Sequence, residues 1–237
     1  MLKYVIHILA LAATLGGKIV IDELRRRIEG EEFDYQALLD SLKQYERPRD
    51  KITSLLRQNA IVRVKKGIYV FGPNYARRPF SREILANMIY GPSCISLDFA
   101  LHYHGLIPER VEALTSVTSG RGRRFITPVG LFIYHQIPRT AFPVGIDQVQ
   151  LEGGRSFLIA VPEKALADKI QDDRGTVIRS QEDMQRYLMQ SLRIDAESLK
   201  EFRTETLSIL AERYGSRKLQ LLNKVIARFR EEPARHE

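Results

Sequence analysis

Between Arg47 and Lys66 the chain carries seven basic residues and one acid, Asp50, in a segment whose hydrophobic period changes from that of a helix to that of a strand. Pro48 suits the first turn of a helix and Asp50 suits its positive end. Ile52, Leu55 and Leu56 then fall on one face. After Asn59 the runs Ile61–Lys65 and Ile68–Phe71 read as two strands joined across Lys66-Gly67, a short hairpin signal. A stretch with a net charge of +6 cannot bury itself, so one helix and its hairpin must turn a basic face outward while their apolar face enters a core. All 237 residues together carry only +8.

The rest of the N-terminal zone supplies that core. A helix is expected over Leu2–Leu15, ending at Gly16-Gly17. That stretch is shorter than the roughly 20 apolar residues needed to span a bilayer. His7 and a single leading charge, Lys3, also make it a poor export signal. Residues 17–21 read as a brief strand, Asp22 as the cap of a helix through Arg27, and Tyr35, Leu38, Leu39 and Leu42 as another helix. Helix, strand, helices and hairpin in this order are the plan of a winged helix-turn-helix over residues 1–72.

With Ile52, Leu55 and Leu56 inward, Arg49, Lys51, Thr53, Ser54 and Arg57 lie on or beside the solvent face. A helix fits the major groove, and its N-terminal residues reach base edges. These five are therefore the candidates for base readout, while Arg47, Arg63, Lys65 and Lys66 would contact phosphates. The segment Gly30–Tyr45 is longer than a compact helix-turn-helix needs, which leaves more than one helix of 22–58 available for the groove. Arg49–Arg57 is preferred because the hairpin follows it. The plainer explanation is a solvated basic face. It does not account for charge, period and hairpin coinciding.

Residues 73–237 form the second zone, a mixed sheet-and-helix region over 73–170 with a helical tail over 171–237. Helices are expected from Ser81 to Tyr90, from Ser96 to Gly105 and over Glu163–Ile170. Strands are expected at Val111–Thr118, Phe125–Thr127, Val129–Ile137 and Ser156–Ala160, and the Gly and Pro punctuation between them suggests an antiparallel sheet. The tail reads as three helices, Glu182–Leu192, Asp195–Gly215 and Arg217–Arg230. The fold class is α+β.

Several stretches in order resemble the AbiEi-type antitoxins of type IV toxin–antitoxin (abortive-infection) systems. They are Arg47–Ile52 leading into Leu55-Leu56, then Ile61–Val70, Pro92–Leu97 with Ala100-Leu101, and His104–Glu109. Thr115–Thr118, Gly130–Phe132 and Ile159–Asp168 complete the series, which covers about residues 45–170. The resemblance implies an N-terminal winged helix that binds double-stranded operator DNA and represses its own operon. It also implies a C-terminal domain that counteracts a nucleotidyltransferase-like toxin without a stable complex. Two other readings stay open: a plain winged-helix transcription regulator with no toxin partner, and a nucleic-acid-acting enzyme with a winged-helix docking module.

Candidate chemistry is sparse. Cys94 is the single cysteine, which excludes an internal disulfide framework and a cysteine-based zinc site and suits a reducing cytoplasm. His102 and His104 sit two apart on a helix, on different faces, so with His135 they make a poor metal set. His104 fits a buried helix end, and His102 a pairing with Asp98. Glu163-Lys164 with Asp168 or Asp147 is reminiscent of nuclease carboxylates. The adjacency of Glu163 and Lys164 after a proline departs from that pattern, and Glu163 suits a helix N-terminus. No catalytic residue, cofactor or metal is assigned. Arg121, Arg123 and Arg124, set among Gly120 and Gly122, are held as a possible second contact to nucleic acid or phosphate, against a solvated hairpin tip.

Overall fold

The computed structural model describes residues 20–231. The helix expected over Leu2–Leu15 lies outside them. The chain is a mixed α+β protein with a helical C-terminal region, divided into two compact units whose boundary passes between Leu85 and Ala86. The first unit also takes in Thr127–Val129.

In the first unit, helix α1 (residues 20–27) is followed by β1 (Glu32–Asp34), α2 (Tyr35–Ser41), α3 (Pro48–Arg57), β2 (Ile61–Lys65) and β3 (Ile68–Phe71). Val20 and Ile21, expected in a strand, are helical instead. Their side chains are buried with Leu24 and Ile28 in one apolar core, and this packing overrides the β-branched preference for strands. The three strands form an antiparallel sheet in the order β1-β3-β2, with Phe33 opposite Tyr69 and Val62 opposite Val70. Phe33 packs on Phe71 with ring centroids 4.7 Å apart, and Leu38, Leu42, Ile52, Leu55 and Ile61 close the core from the helices and β2. Asp34 caps α2, its carboxylate accepting from Ala37 N–H at 2.8 Å.

A sequence boundary at residue 72 leaves out segments that belong to this unit. Tyr75 packs on its core, Arg77 donates to Arg25 O at 2.9 Å, and Ser81 N–H donates to Glu32 Oε1. The buried pair Arg25–Glu31, at 2.7 Å, holds the same seam, with the guanidinium 4.0 Å above the Phe71 ring. Helix α4 (Arg82–Ile89) starts at Ser81, whose Oγ accepts from Ile84 N–H at 3.1 Å.

The second unit is built on six strands: β4 (Ser93–Ile95), β5 (Leu114–Thr118), β6 (Arg123–Thr127), β7 (Gly130–Gln136), β8 (Ile146–Leu151) and β9 (Arg155–Ala160), ordered β6-β7-β5-β4-β9-β8. The sheet is mixed rather than antiparallel, because β5 runs parallel to β7 and β4 parallel to β9. Antiparallel pairing joins β4 to β5 and β8 to β9. Helices α5 (Leu97–Tyr103) and α6 (Pro162–Asp172) pack together, α5 also on β5 and α6 on β9. The tail adds α7 (Gln181–Arg186), continued by a π-helical turn at Tyr187–Ser191, then α8 (Ala196–Lys200), α9 (Thr204–Tyr214) and α10 (Arg217–Glu231). The single helix expected over Asp195–Gly215 is thus two, interrupted where Phe202 is buried and Arg203 N–H donates to Glu163. Gly215, at φ +62°, ends α9. Among the described residues no helix is long and apolar enough to cross a membrane.

Candidate nucleic-acid interface

Helix α3 turns Ile52 and Leu55 into the core, with Leu56 packed beside them. Arg49, Thr53 and Arg57, at successive i, i+4 steps, form an exposed row on the other side, with Ser54 next to it. The Thr53 hydroxyl donates to Arg49 O at 3.0 Å, and Ser54 Oγ accepts from the Gln58 amide at 3.2 Å. Arg47 is the N-cap residue and is exposed, with no capping bond from its side chain. Lys51 differs from the other candidates. It is half-buried, and its ammonium lies 5.2 Å from the centre of the Tyr45 ring, which sets it apart from the exposed row of base-readout candidates.

The hairpin follows at once. Ala60 N–H donates to Leu55 O at 2.9 Å and Gly72 N–H to Ala60 O at 2.9 Å, so the end of α3 and the end of β3 are tied to one point. A Cβ on Gly72 would lie 1.9 Å from Asn59 O, a separation open to glycine alone. At the tip Gly67 takes φ +91°, and its carbonyl accepts from Tyr35 N–H at 2.8 Å. Arg63 and Lys66 are exposed and Lys65 is half-buried, with a register shift between Arg63 and Lys65.

The ion pairs separate two kinds of arginine. On α1, Arg26 and Arg27 share Glu23 at 2.6 and 2.8 Å, and Arg25 holds Glu31. Bonding to Arg27, with further help from Arg26, holds the Glu23 carboxyl below its usual range. No ion pair among the described residues involves Arg47, Arg49, Arg57, Arg63 or Lys66. Basic side chains of this kind can neutralise phosphates and release the cations condensed on them.

The remaining candidates are dispersed. His104 is half-buried at the end of α5 and its Nε2 bonds Ala160 O at 2.8 Å. His135 pairs with Asp172 at 2.8 Å. Asp98 pairs with Lys169, also at 2.8 Å, and not with His102, which is exposed. Among the described residues no group of histidine, cysteine and carboxylate side chains is arranged to hold a metal. Arg121, Arg123 and Arg124 are exposed, the last two opening β6 at one edge of the sheet.

Lys164 and Asp168, grouped in the sequence with Glu163, belong instead to a closed polar cluster inside the second unit. Lys164 and Asp168, one turn apart on α6, are both fully buried and 3.4 Å apart. Lys164 Nζ also donates to Ala141 O at 3.2 Å, while Asp168 accepts from Ser96 Oγ at 2.7 Å and Tyr214 OH at 2.5 Å. Ser96, at the N-cap position of α5, spends its hydroxyl here and makes no capping bond. Burial pushes the Asp168 carboxyl up, against the pull of Lys164 and the two hydroxyls. Asp147, exposed on β8, is remote in character from this closed set. Glu163, expected to serve the helix N-terminus, is buried and accepts from Arg203 N–H at 2.7 Å and from its guanidinium at 3.3 Å. Enclosure and satisfied bonds give the Lys164–Asp168 group a structural role. Its one sequence signal is a charged i, i+4 pair within the apolar run Ala165, Leu166, Ala167 and Ile170.

A scan of protein-family models finds none that matches the chain, and a search of curated proteins finds no relative.

Proposed function

We propose that the elements from α1 to β3 in the first unit form a winged helix-turn-helix and that the protein is a DNA-binding antitoxin and transcriptional autorepressor of a type IV toxin–antitoxin operon. The observation that carries the DNA reading is that Arg47, Arg49, Arg57, Arg63 and Lys66, exposed on α3 and the following hairpin, are in no ion pair among the described residues, beside an α1 whose arginines are all paired. The element order helix, strand, helix, helix, strand, strand, with the third helix running into the hairpin, supports the winged-helix reading. In this reading α3 lies in the major groove of operator DNA. Arg49 and Arg57, with Thr53 and Ser54 between them, meet base edges, while Arg47, Arg63, Lys65 and Lys66 meet phosphates. Lys51, drawn toward Tyr45, contributes charge more than readout.

The antitoxin part rests on the sequence resemblance. The second unit counteracts a nucleotidyltransferase-like toxin encoded beside it, without a stable complex and without chemistry of its own, in the cytoplasm where operon DNA is found. The test is an Arg49→Ala/Arg57→Ala variant of the full chain in cells carrying the neighbouring gene. Loss of repression from the upstream promoter with neutralisation retained is expected. A neighbouring gene that is not toxic would leave the regulator reading and remove the antitoxin one.

A further inference from the structure

Helix α3 exposes two rows of different chemistry. Arg49, Thr53 and Arg57 form the row described above. Beside it Asp50, Ser54 and Gln58, again at i, i+4 steps, form a second exposed row, joined where the Gln58 amide donates to Ser54 Oγ at 3.2 Å. Asp50 is the one acid among the seven basic residues from Arg47 to Lys66. Its neighbours one helical turn away are Glu46, Arg47, Thr53 and Ser54, so only Arg47 is placed to pair with it. No ion pair among the described residues involves Asp50, and the adjacent Lys51 is drawn to the Tyr45 ring. A carboxylate in the first turn answers the positive end of the helix. That role alone does not account for its standing, bare, in the row next to Arg49 and Arg57.

An ionised carboxylate can only accept hydrogen bonds. In the major groove the donors are the amino groups of cytosine N4 and adenine N6, whereas guanine O6 and N7 and thymine O4 are acceptors and repel it. Adenine sets its N7 acceptor beside the amino group, and cytosine presents the amino group alone, so cytosine suits a carboxylate better. Phosphates repel Asp50 as well, so it weakens non-specific contact and rewards only the right base. Guanidiniums need the converse, and guanine supplies two acceptors. We infer that Asp50 is a specificity-determining residue that accepts from a cytosine amino group of the operator. Helix α3 then reads G·C pairs in one orientation, with guanine toward Arg49 and Arg57 and cytosine toward Asp50. The assignment rests on the DNA reading of α3 and extends it from affinity to sequence.

The experiment selects sites for the full-length protein from a randomised duplex library, then compares single-base variants of the best site by competition. The parent, Asp50→Ala and Asp50→Asn are run together. The parent should favour cytosine over thymine about tenfold at one position or more. Asp50→Ala should lose that preference while binding random duplex at least as tightly. Asp50→Asn should move it toward adenine, because an amide matches adenine N6 and N7. N4-methylcytosine at the same position keeps its base pair but loses the outward amino hydrogen. It should weaken binding of the parent, a readout independent of any variant's folding. A carboxylate serving only the helix end would, on removal, weaken all sequences alike. Base preferences unchanged in both variants, with binding that still depends on Arg49 and Arg57, overturn the assignment of Asp50 and leave the DNA reading standing. Indifference of the parent to N4-methylcytosine, or duplex binding without sequence preference, does the same. No duplex binding by the parent overturns both.

Discussion

If the hairpin grips phosphates, removing its charges must flatten the salt dependence of DNA binding by a calculable amount. Each phosphate neutralised contributes about −0.9 to the slope of log K against log salt. Arg47, Arg63, Lys65 and Lys66 acting as four such contacts give about −3.6, so affinity falls ~150-fold between roughly 50 and 200 mM salt. Arg63 and Lys66 are exposed and in no ion pair among the described residues, so Arg63→Ala/Lys66→Ala should remove two full contacts without disturbing packing. The slope should then fall to about −1.8 and the same salt interval should weaken binding only ~12-fold. Fluorescence anisotropy on a duplex from the chain's own upstream region, titrated at several salt concentrations, measures both slopes. Arg26→Ala/Arg27→Ala is the control, because those arginines are already engaged by Glu23 and should leave the slope as it is. A slope unchanged by the hairpin substitutions would refute the reasoning, whatever happened to the affinity.

Other expectations follow from named contacts. Arg49→Ala should weaken binding by ~1–3 kcal/mol and relax the sequence preference at one operator position, read by competition with single-base operator variants. Lys164→Met leaves Asp168 buried beside hydroxyl donors alone and should destabilise the protein by ~3–5 kcal/mol, whereas Lys164→Met/Asp168→Asn should recover most of that, both measured by urea unfolding. Burial raises the Asp168 carboxyl in the folded state, so the stability linked to it is complete at acid pH, below the unfolded value, and is lost as pH rises through the folded value. Lys164→Met removes the leading opposing charge and should steepen that decline, seen as a larger shift of urea midpoint with pH. Gly72→Ala drives a methyl into Asn59 O and should lower stability by ~1–3 kcal/mol or more in the same assay.

What local pattern could reveal, it revealed at α3 and the hairpin. Ile52, Leu55 and Leu56 repeat at helical spacing, Gly67 supplies the turn, and the charges mark the side that stays wet. β1 escaped because three residues, Glu32-Phe33-Asp34, have too little pattern of their own. They are extended because Phe33 faces Tyr69 across the sheet and packs at a tilt on Phe71. Val20 and Ile21 misled for the converse reason, a β-branched run drawn into a helix by the core it completes. The parallel pairs β5–β7 and β4–β9 join residues far apart in sequence, so no turn chemistry announces them. Leu114–Thr118 is nevertheless buried throughout, as a strand inside a covered sheet should be.

At the candidate site the basic residues were legible as a set, but their state was not. Sequence cannot tell that Arg26 and Arg27 are held by Glu23 while Arg49 and Arg57 are in no ion pair among the described residues, or that Lys51 is drawn over Tyr45. Lys164 and Asp168 stood out in the sequence only beside Glu163 in a nuclease-like grouping, because the partners that enclose them come from the start of α5, from α9 and from a loop at Ala141, each distant along the chain.

Footprinting of the purified protein on the DNA upstream of its own gene, beside the Arg49→Ala/Arg57→Ala variant, decides whether α3 reads operator DNA. One protected region overlapping the promoter is expected, lost with the variant while the variant's circular dichroism is unchanged. Absence of protection anywhere upstream, or protection equally strong with both arginines removed, would contradict it.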